Sequence, residues 1–244
     1  MPAAHDEPAH RETRGPVALV TMNRPEYRNA RNSAMTYALD RASCRAAEDN
    51  EIKVVILAGP GKHFSAGHGI GTPERDAHLP FDRKAGAWWD HSDKTDAESR
   101  FAHESEVCPG MCRRWRELPE PVIASVQHFA HPWVMAPRIA KEFLRTGERT
   151  SAQRAYEVQM VNRVVLRAEL AERTMELATR IADMPRLGPA PAERAVDQAE
   201  DLQGLHTGRD SVFGPHHLAH AHNAETAPDS LGGMDIHAMK EAGT

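Results

Sequence analysis

KVVILAGPGKHFSAGHGIG, from Lys53 to Gly71, is the stretch on which the fold turns. Val54, Val55, Ile56 and Leu57 form a short apolar run rich in β-branched residues, bounded by Gly59, Pro60 and Gly61, and this predicts a strand covered on both faces. Ser65-Ala66-Gly67-His68 then places small residues at a bend, which lets a ligand approach the main chain closely. A strand that runs through a Gly-rich turn into a helix N-terminus can aim free backbone N–H groups at an oxygen carrying negative charge.

Outward from this stretch the chain keeps a strand–helix–strand rhythm. Val17–Asn23 reads as the first strand. Met35, Leu39, Ala42 and Ala46 share one face of a predicted helix over Asn32–Glu48, with Asn32 or Ser33 as N-cap. Residues 1–14 read as a disordered, solvated tail. From Thr72 to Val107 the chain is charged and aromatic with little sustained period, which predicts a long variable loop. Residues 108–118 read as a helix and 121–126 as a buried strand. Helices are expected over Met135–Thr146, Ser151–Gln159, Ala168–Met184, Pro189–Leu205 and Asp210–Ala224, with Met160–Val165 a short extended stretch.

The segment Val17–Ala30, VALVTMNRPEYRNA, and the later F-S-A-G turn resemble the crotonase superfamily, the enoyl-CoA hydratases and isomerases, in order and separation. Further blocks extend the resemblance from about Gly15 to about Glu225: V-V-I-L-A-G, L-P-x-P-V-I-A-S-V, T-G-E-R-x-S-A-x-x-A and M-V-N-R-V-V. The implied fold is α/β, a crotonase-like ββα spiral core with a helical C-terminal region. The implied organisation is a tail over 1–14, a core over 15–150 and a helical lid and oligomerisation region over 151–244. The resemblance also implies acyl-CoA or enoyl-CoA as ligand, fatty-acid metabolism, no cofactor beyond the coenzyme A thioester that is itself the substrate, and a homo-oligomer, trimer or hexamer.

The core is expected to be internally truncated. In the resembling family P-V-I-A-x-V is followed by a Gly-Gly stretch, a helix, a further strand and a segment carrying a glutamate. Here Pro121–Gln127 runs straight into His128-Phe129-Ala130-His131-Pro132-Trp133, which resembles the sequence that ordinarily follows that block. The family holds the thioester oxygen between two backbone N–H groups. The first maps to His68, and the second belongs to the missing stretch together with the two glutamates that deliver water. The sequence therefore predicts weak or absent hydratase activity, or alternatively a non-catalytic partner of intact relatives.

The site residues carried over are the backbone N–H of His68 as the catalytic donor, and Arg28, Ala30, Ala66, Gly69 and Ile70 as contacts along the coenzyme A and pantetheine path. Arg28 can equally be a surface arginine after a Pro-initiated turn, and Ala66 and Ile70 can equally be packing residues. Gly69 stands where the family commonly has Asp, which removes an N-cap and adds backbone freedom. Phe81, Trp88, Trp89 and Phe101 either line the acyl pocket or pack their loop onto its own domain or a neighbouring subunit. Glu74, Asp76, Asp82, Asp90 and Asp93 read first as a solvated charged face.

Other patterns point less far. Cys44, Cys108 and Cys112 are an odd number in a chain without a secretion signal, which argues against a disulfide framework. Cys108 and Cys112 near His103, and His216, His217, His220 and His222 in PHHLAHAHN, have the side-chain types of a metal site but not a recognised ligand spacing, and no metal is assigned to either. A net charge of -5 gives no basic footprint for nucleic acid. The charged N-terminus and the lack of a long apolar run predict a cytoplasmic protein with no membrane partner.

Overall fold

A computed structural model describes residues 7–67, 97–123, 135–146, 150–185 and 189–226. Its centre is a sheet in the order β1-β2-β3-β4. β1 (Ala9–Arg14) and β2 (Val17–Met22) form an antiparallel hairpin closed at Gly15 and Pro16, where Gly15 takes φ +56°. β2 runs parallel to β3 (Val54–Ala58), pairing Val17 with Val54 through Thr21 with Ala58. β4 (Val122–Ile123) is parallel to β3.

The expected tail over 1–14 therefore extends too far: residues 9–14 are a strand, and residues 1–6 lie outside the described set. Ala9 is the only residue of β1 that is fully buried. The segment thus carries no apolar alternation for sequence to read, and its place depends on ladder bonds to β2 and on the Arg11–Asp49 ion pair at 2.7 Å.

Helix α1 (Ser33–Ala47) makes the crossover from β2 to β3. Asn32 sits at its N-cap in an extended conformation, and the Asn32 side-chain oxygen accepts from the Met35 N–H at 3.0 Å. Met35, Leu39, Ala42 and Ala46 are buried as the periodicity predicts, against Ala18, Val20, Met22 and Val55. Strand pleating sends alternate residues to opposite faces. Val17, Val54 and Ile56 accordingly pack on the far side against Ala178 and Ala182 of α6 (Leu170–Ala182), so the sheet is covered on both faces. The small alanines let this helix lie close to the strands. The Lys53 ammonium donates to the Ala182 carbonyl at 2.8 Å, placing a cation at the helix C-terminus.

A second group of helices stands on the α1 side. α2 (Ala97–Ser105) passes through a π-helical turn (Glu106–Gly110) into α3 (Met111–Arg116). Pro109 lies inside that turn and has no N–H to give, which accounts for the break in the regular ladder there. Helical structure thus starts at residue 97, inside the segment expected to be loop. The reason is a distant partner: Phe101 packs at 5.2 Å on Phe213 and at 5.0 Å on His217 of α8 (Leu205–Thr226).

The remaining described helices are α4 (Pro137–Thr146), α5 (Ala152–Glu157) and α7 (Pro189–Leu202). Residues 160–165, expected to be extended, run as bends and irregular backbone without a ladder partner among the described residues. The expected strand over 121–126 is described only as β4, and residues 124–134, which contain the break after Gln127, lie outside the described set. Among the described residues, no helix is long and apolar enough to cross a membrane.

Candidate active site at the C-terminal ends of the parallel strands

β2 and β3 each run into a loop at their C-terminal ends, the usual place for a ligand on a parallel sheet. After β2, Pro25–Tyr27 forms a single 3-10 turn. Arg28 and Asn29 then both take φ 54°, a left-handed conformation that costs a non-glycine residue about 1 kcal/mol or more. After β3, the chain folds back so tightly that a Cβ at Gly59 would run into the Phe64 carbonyl, and Gly67 takes φ +84°.

Asn29 ties the two loops together. It is fully buried, and its amide nitrogen donates to the carbonyls of Pro60 and His63, both at 2.9 Å. Its side-chain oxygen accepts from the Arg24 N–H at 3.3 Å. The backbones are joined as well. Ala66 N–H donates to the Arg28 carbonyl at 2.9 Å and Arg31 N–H to the Gly67 carbonyl at 2.8 Å, while the Ser65 hydroxyl donates to the Asn29 carbonyl at 2.9 Å. Arg24, also buried, donates to the Ala30 carbonyl at 2.8 Å and lies 4.7 Å above the Tyr27 ring.

Of the residues carried over from sequence, three lie in this laced pair of loops. Arg28 is exposed, Ala30 is buried beneath the first loop, and Ala66 is exposed on the second. His68, Gly69 and Ile70 lie outside the described residues, as do Phe81, Trp88, Trp89 and the loop carboxylates Glu74, Asp76, Asp82, Asp90 and Asp93. Phe101 packs within its own domain. Sequence reasoning singled out neither Asn29 nor Arg24 as structural anchors. The signal available for them was a buried-capable Asn beside a turn, since Asn tolerates left-handed backbone and bonds locally.

Beneath the loops, between the sheet and α1, lies an apolar cavity of about 50 Å³, space for a few waters. Val20, Met22, Leu39, Val55, Leu57 and Trp115 form its walls, and Phe64, Ser65 and Arg31 bring the two loops to its edge. Trp115 is held by its indole N–H, which donates to Asp40 at 3.0 Å. Asp40 is fully buried and also accepts from Arg114 at 3.2 Å, and Arg114 reaches Glu106 at 2.9 Å. These carboxylates are held by a cation and fix α3 against α1.

Cys108 and Cys112 are buried thiols. Burial pushes Cys108 up to about 12, with Cys112 and Glu104 adding and Arg31 opposing. His217 is engaged with Glu104 at 2.8 Å. Among the described residues, no group of three metal-ligating side chains comes together.

Residues 12–87 match the family model described as Enoyl-CoA hydratase/isomerase. The chain is 31% identical to the Mycobacterium tuberculosis protein EchA13, which carries an enoyl-CoA hydratase name, over 89% of this chain and 81% of that protein. A crystal structure of a probable enoyl-CoA hydratase from Mycobacterium smegmatis superposes with a TM-score of 0.77 at 33% identity, covering 90% of this chain and 97% of that one. The chain belongs to the enoyl-CoA hydratase/isomerase family.

The fold is accordingly the crotonase fold of that family, with a sheet whose β2, β3 and β4 run parallel and a mostly helical C-terminal region. The carnitinyl-CoA dehydratase of Salmonella typhi is 26% identical over 280 aligned positions that cover 97% of both chains. An alignment of 280 positions is longer than the 244-residue chain, so this relative carries residues with no counterpart in it.

Proposed function

We propose that this chain binds acyl-CoA thioesters with the N–H of His68 as the oxyanion donor and Arg28 beside the phosphates of coenzyme A, and that its hydratase activity is weak or lost. The observation that carries the reading is the Asn29 lacing, which brings Phe64 and Ser65 to the edge of an apolar cavity while the Ala66 N–H bonds the carbonyl of the exposed Arg28. A turn with small residues lets a thioester oxygen approach backbone N–H groups, and an exposed guanidinium suits phosphate. Ala30, Ala66, Gly69 and Ile70 take the pantetheine path in this reading.

Weak hydration follows from the missing block. The second backbone donor and both glutamates of the family reaction have no counterpart in the sequence, and the length of the relative's alignment agrees with such a loss. Calorimetric titration with coenzyme A and acetoacetyl-CoA tests binding. Arg28→Ala is expected to weaken it by about 1–2 kcal/mol through the lost phosphate pair. No heat and no thermal shift at millimolar ligand would refute the reading.

A second reading is a non-catalytic subunit that joins intact relatives, or a homo-oligomer such as a trimer or hexamer. Exposed Met160, Val161, Val164, Leu166 and Leu170 favour it, since they place apolar side chains on one short stretch of surface. Light scattering on the chain alone and mixed with an intact homologue separates the two. A stable monomer in both cases would exclude association.

A further inference from the structure

Arg31, a cation, is among the residues that line a cavity whose walls include Val20, Met22, Leu39, Leu57 and Trp115. It is half-buried, and its backbone is pinned next to the turn by the 2.8 Å bond from its N–H to the Gly67 carbonyl. Among the described residues its guanidinium has no hydrogen-bonded or ion-paired partner. The neighbouring cations differ: Arg24 is bonded to the Ala30 carbonyl, and Arg114 to Asp40 and Glu106. Glu104, which with Arg31 bears on the Cys108 thiol, is engaged with His217 at 2.8 Å. A guanidinium on an apolar wall without a counter-charge is unfavourable until an anion enters.

We propose that Arg31 is a specificity-determining residue that selects short acyl-CoA thioesters whose acyl group ends in a carboxylate. The inference rests on the acyl-CoA reading above and names the substrate class for that same site. Two anions are available from such a ligand, the phosphates of coenzyme A and the acyl carboxylate. Arg28 is exposed and does not line the cavity, whereas Arg31 does, so the phosphates fall to Arg28 and the acyl carboxylate to Arg31. A fork-shaped guanidinium pairs a carboxylate through two parallel N–H bonds, which fixes orientation as well as charge. The small volume of the cavity favours an acyl group of a few carbons.

The test is calorimetry on the full chain with glutaryl-CoA, butyryl-CoA and free coenzyme A, for the unchanged protein, Arg31→Gln and Arg31→Lys, with circular dichroism confirming the fold. The unchanged protein is expected to prefer glutaryl-CoA to butyryl-CoA. Arg31→Gln should lose about 10- to 100-fold in glutaryl-CoA affinity and leave the other two ligands within about 3-fold, with Arg31→Lys between. If Arg31→Gln does not fold, the glutaryl-to-butyryl ratio of the unchanged protein decides alone, and a ratio of one overturns the proposal. Equal weakening of all three ligands by Arg31→Gln also overturns it, since Arg31 would then hold coenzyme A itself. If butyryl-CoA and free coenzyme A bind and glutaryl-CoA binds no better, carboxylate selection falls while acyl-CoA binding stands. If none of the three binds, both readings fall.

Discussion

Asn29 concentrates more structural consequence than any catalytic candidate, because its side chain satisfies two carbonyls and one N–H from two different loops while its backbone sits at φ 54°. Asn29→Ala leaves those groups without their partner and keeps the left-handed strain, at an expected cost of about 3 kcal/mol in urea unfolding. Asn29→Gly relieves the strain without restoring the bonds, so it is expected to cost less than the alanine variant. Equal costs would mean the backbone conformation is incidental. Cys108 gives a pH prediction. Its thiol rises from 9.0 to about 12 on folding, chiefly by burial. The unfolded chain therefore loses its proton first as pH rises, and the stabilisation is fully present below about pH 9 and lost on the way to about pH 12. The slope is at most about 1.4 kcal/mol per pH unit. Unfolding free energies at pH 8 and 10.5 should fall more steeply for the unchanged protein than for Cys108→Ala, and parallel curves would contradict the assignment.

At the scale of elements, α3 and α7 are joined by one side chain. Arg116 is almost wholly buried and reaches Asp197, Glu200 and Asp201 at 3.2, 3.0 and 2.9 Å. Burial raises Asp197, with Arg116 the main opposing influence and Glu200 and Asp201 adding to the rise. Removing the cation leaves three neighbouring carboxylates to repel one another. They keep partial access to water, so the loss falls below that of a fully buried pair, and Arg116→Ala is expected to cost about 2 kcal/mol. Hydrogen exchange should show Pro189–Leu202 losing protection while Val54–Ala58 keeps it. Uniform loss across the sheet would show that this contact supports the whole domain instead.

At the scale of the molecule, the sheet is served by helices on both faces, yet β4 has no described strand beyond it. In the proposed reading, the second oxyanion donor and the two glutamates belong to a block missing after Gln127. One oxyanion donor alone is worth about two to three orders of magnitude in rate, and general acid and base groups contribute at least about two more, though losses at one transition state need not add. Hydration of crotonyl-CoA, followed by the enoyl-thioester absorbance, is expected at or near background. A turnover on the order of 10 per second, ordinary for an enzyme, would mean a carboxylate such as Glu74 or Asp82 has taken over, and alanine substitution at each would identify it.

The sequence by itself determined the elements whose pattern is local. The apolar run at Val54–Leu57, the spacing of Met35, Leu39, Ala42 and Ala46, and the Asn32 cap were all readable because strand and helix periodicities are written in neighbouring residues. Family membership was readable from the ordered blocks around N-R-P-x-x-R-N-A and F-S-A-G. Only the tertiary structure decided the rest, since each case depends on partners far along the chain. β1 is a strand because β2 lies beside it, and α2 is helical where Phe101 meets Phe213. Asn29 is an anchor because Pro60 and His63 fold back to it. Arg31 faces the cavity edge because Gly67, 36 positions later, fixes its backbone there. Such contacts follow from chain packing, which brings distant residues together on terms that no local periodicity records.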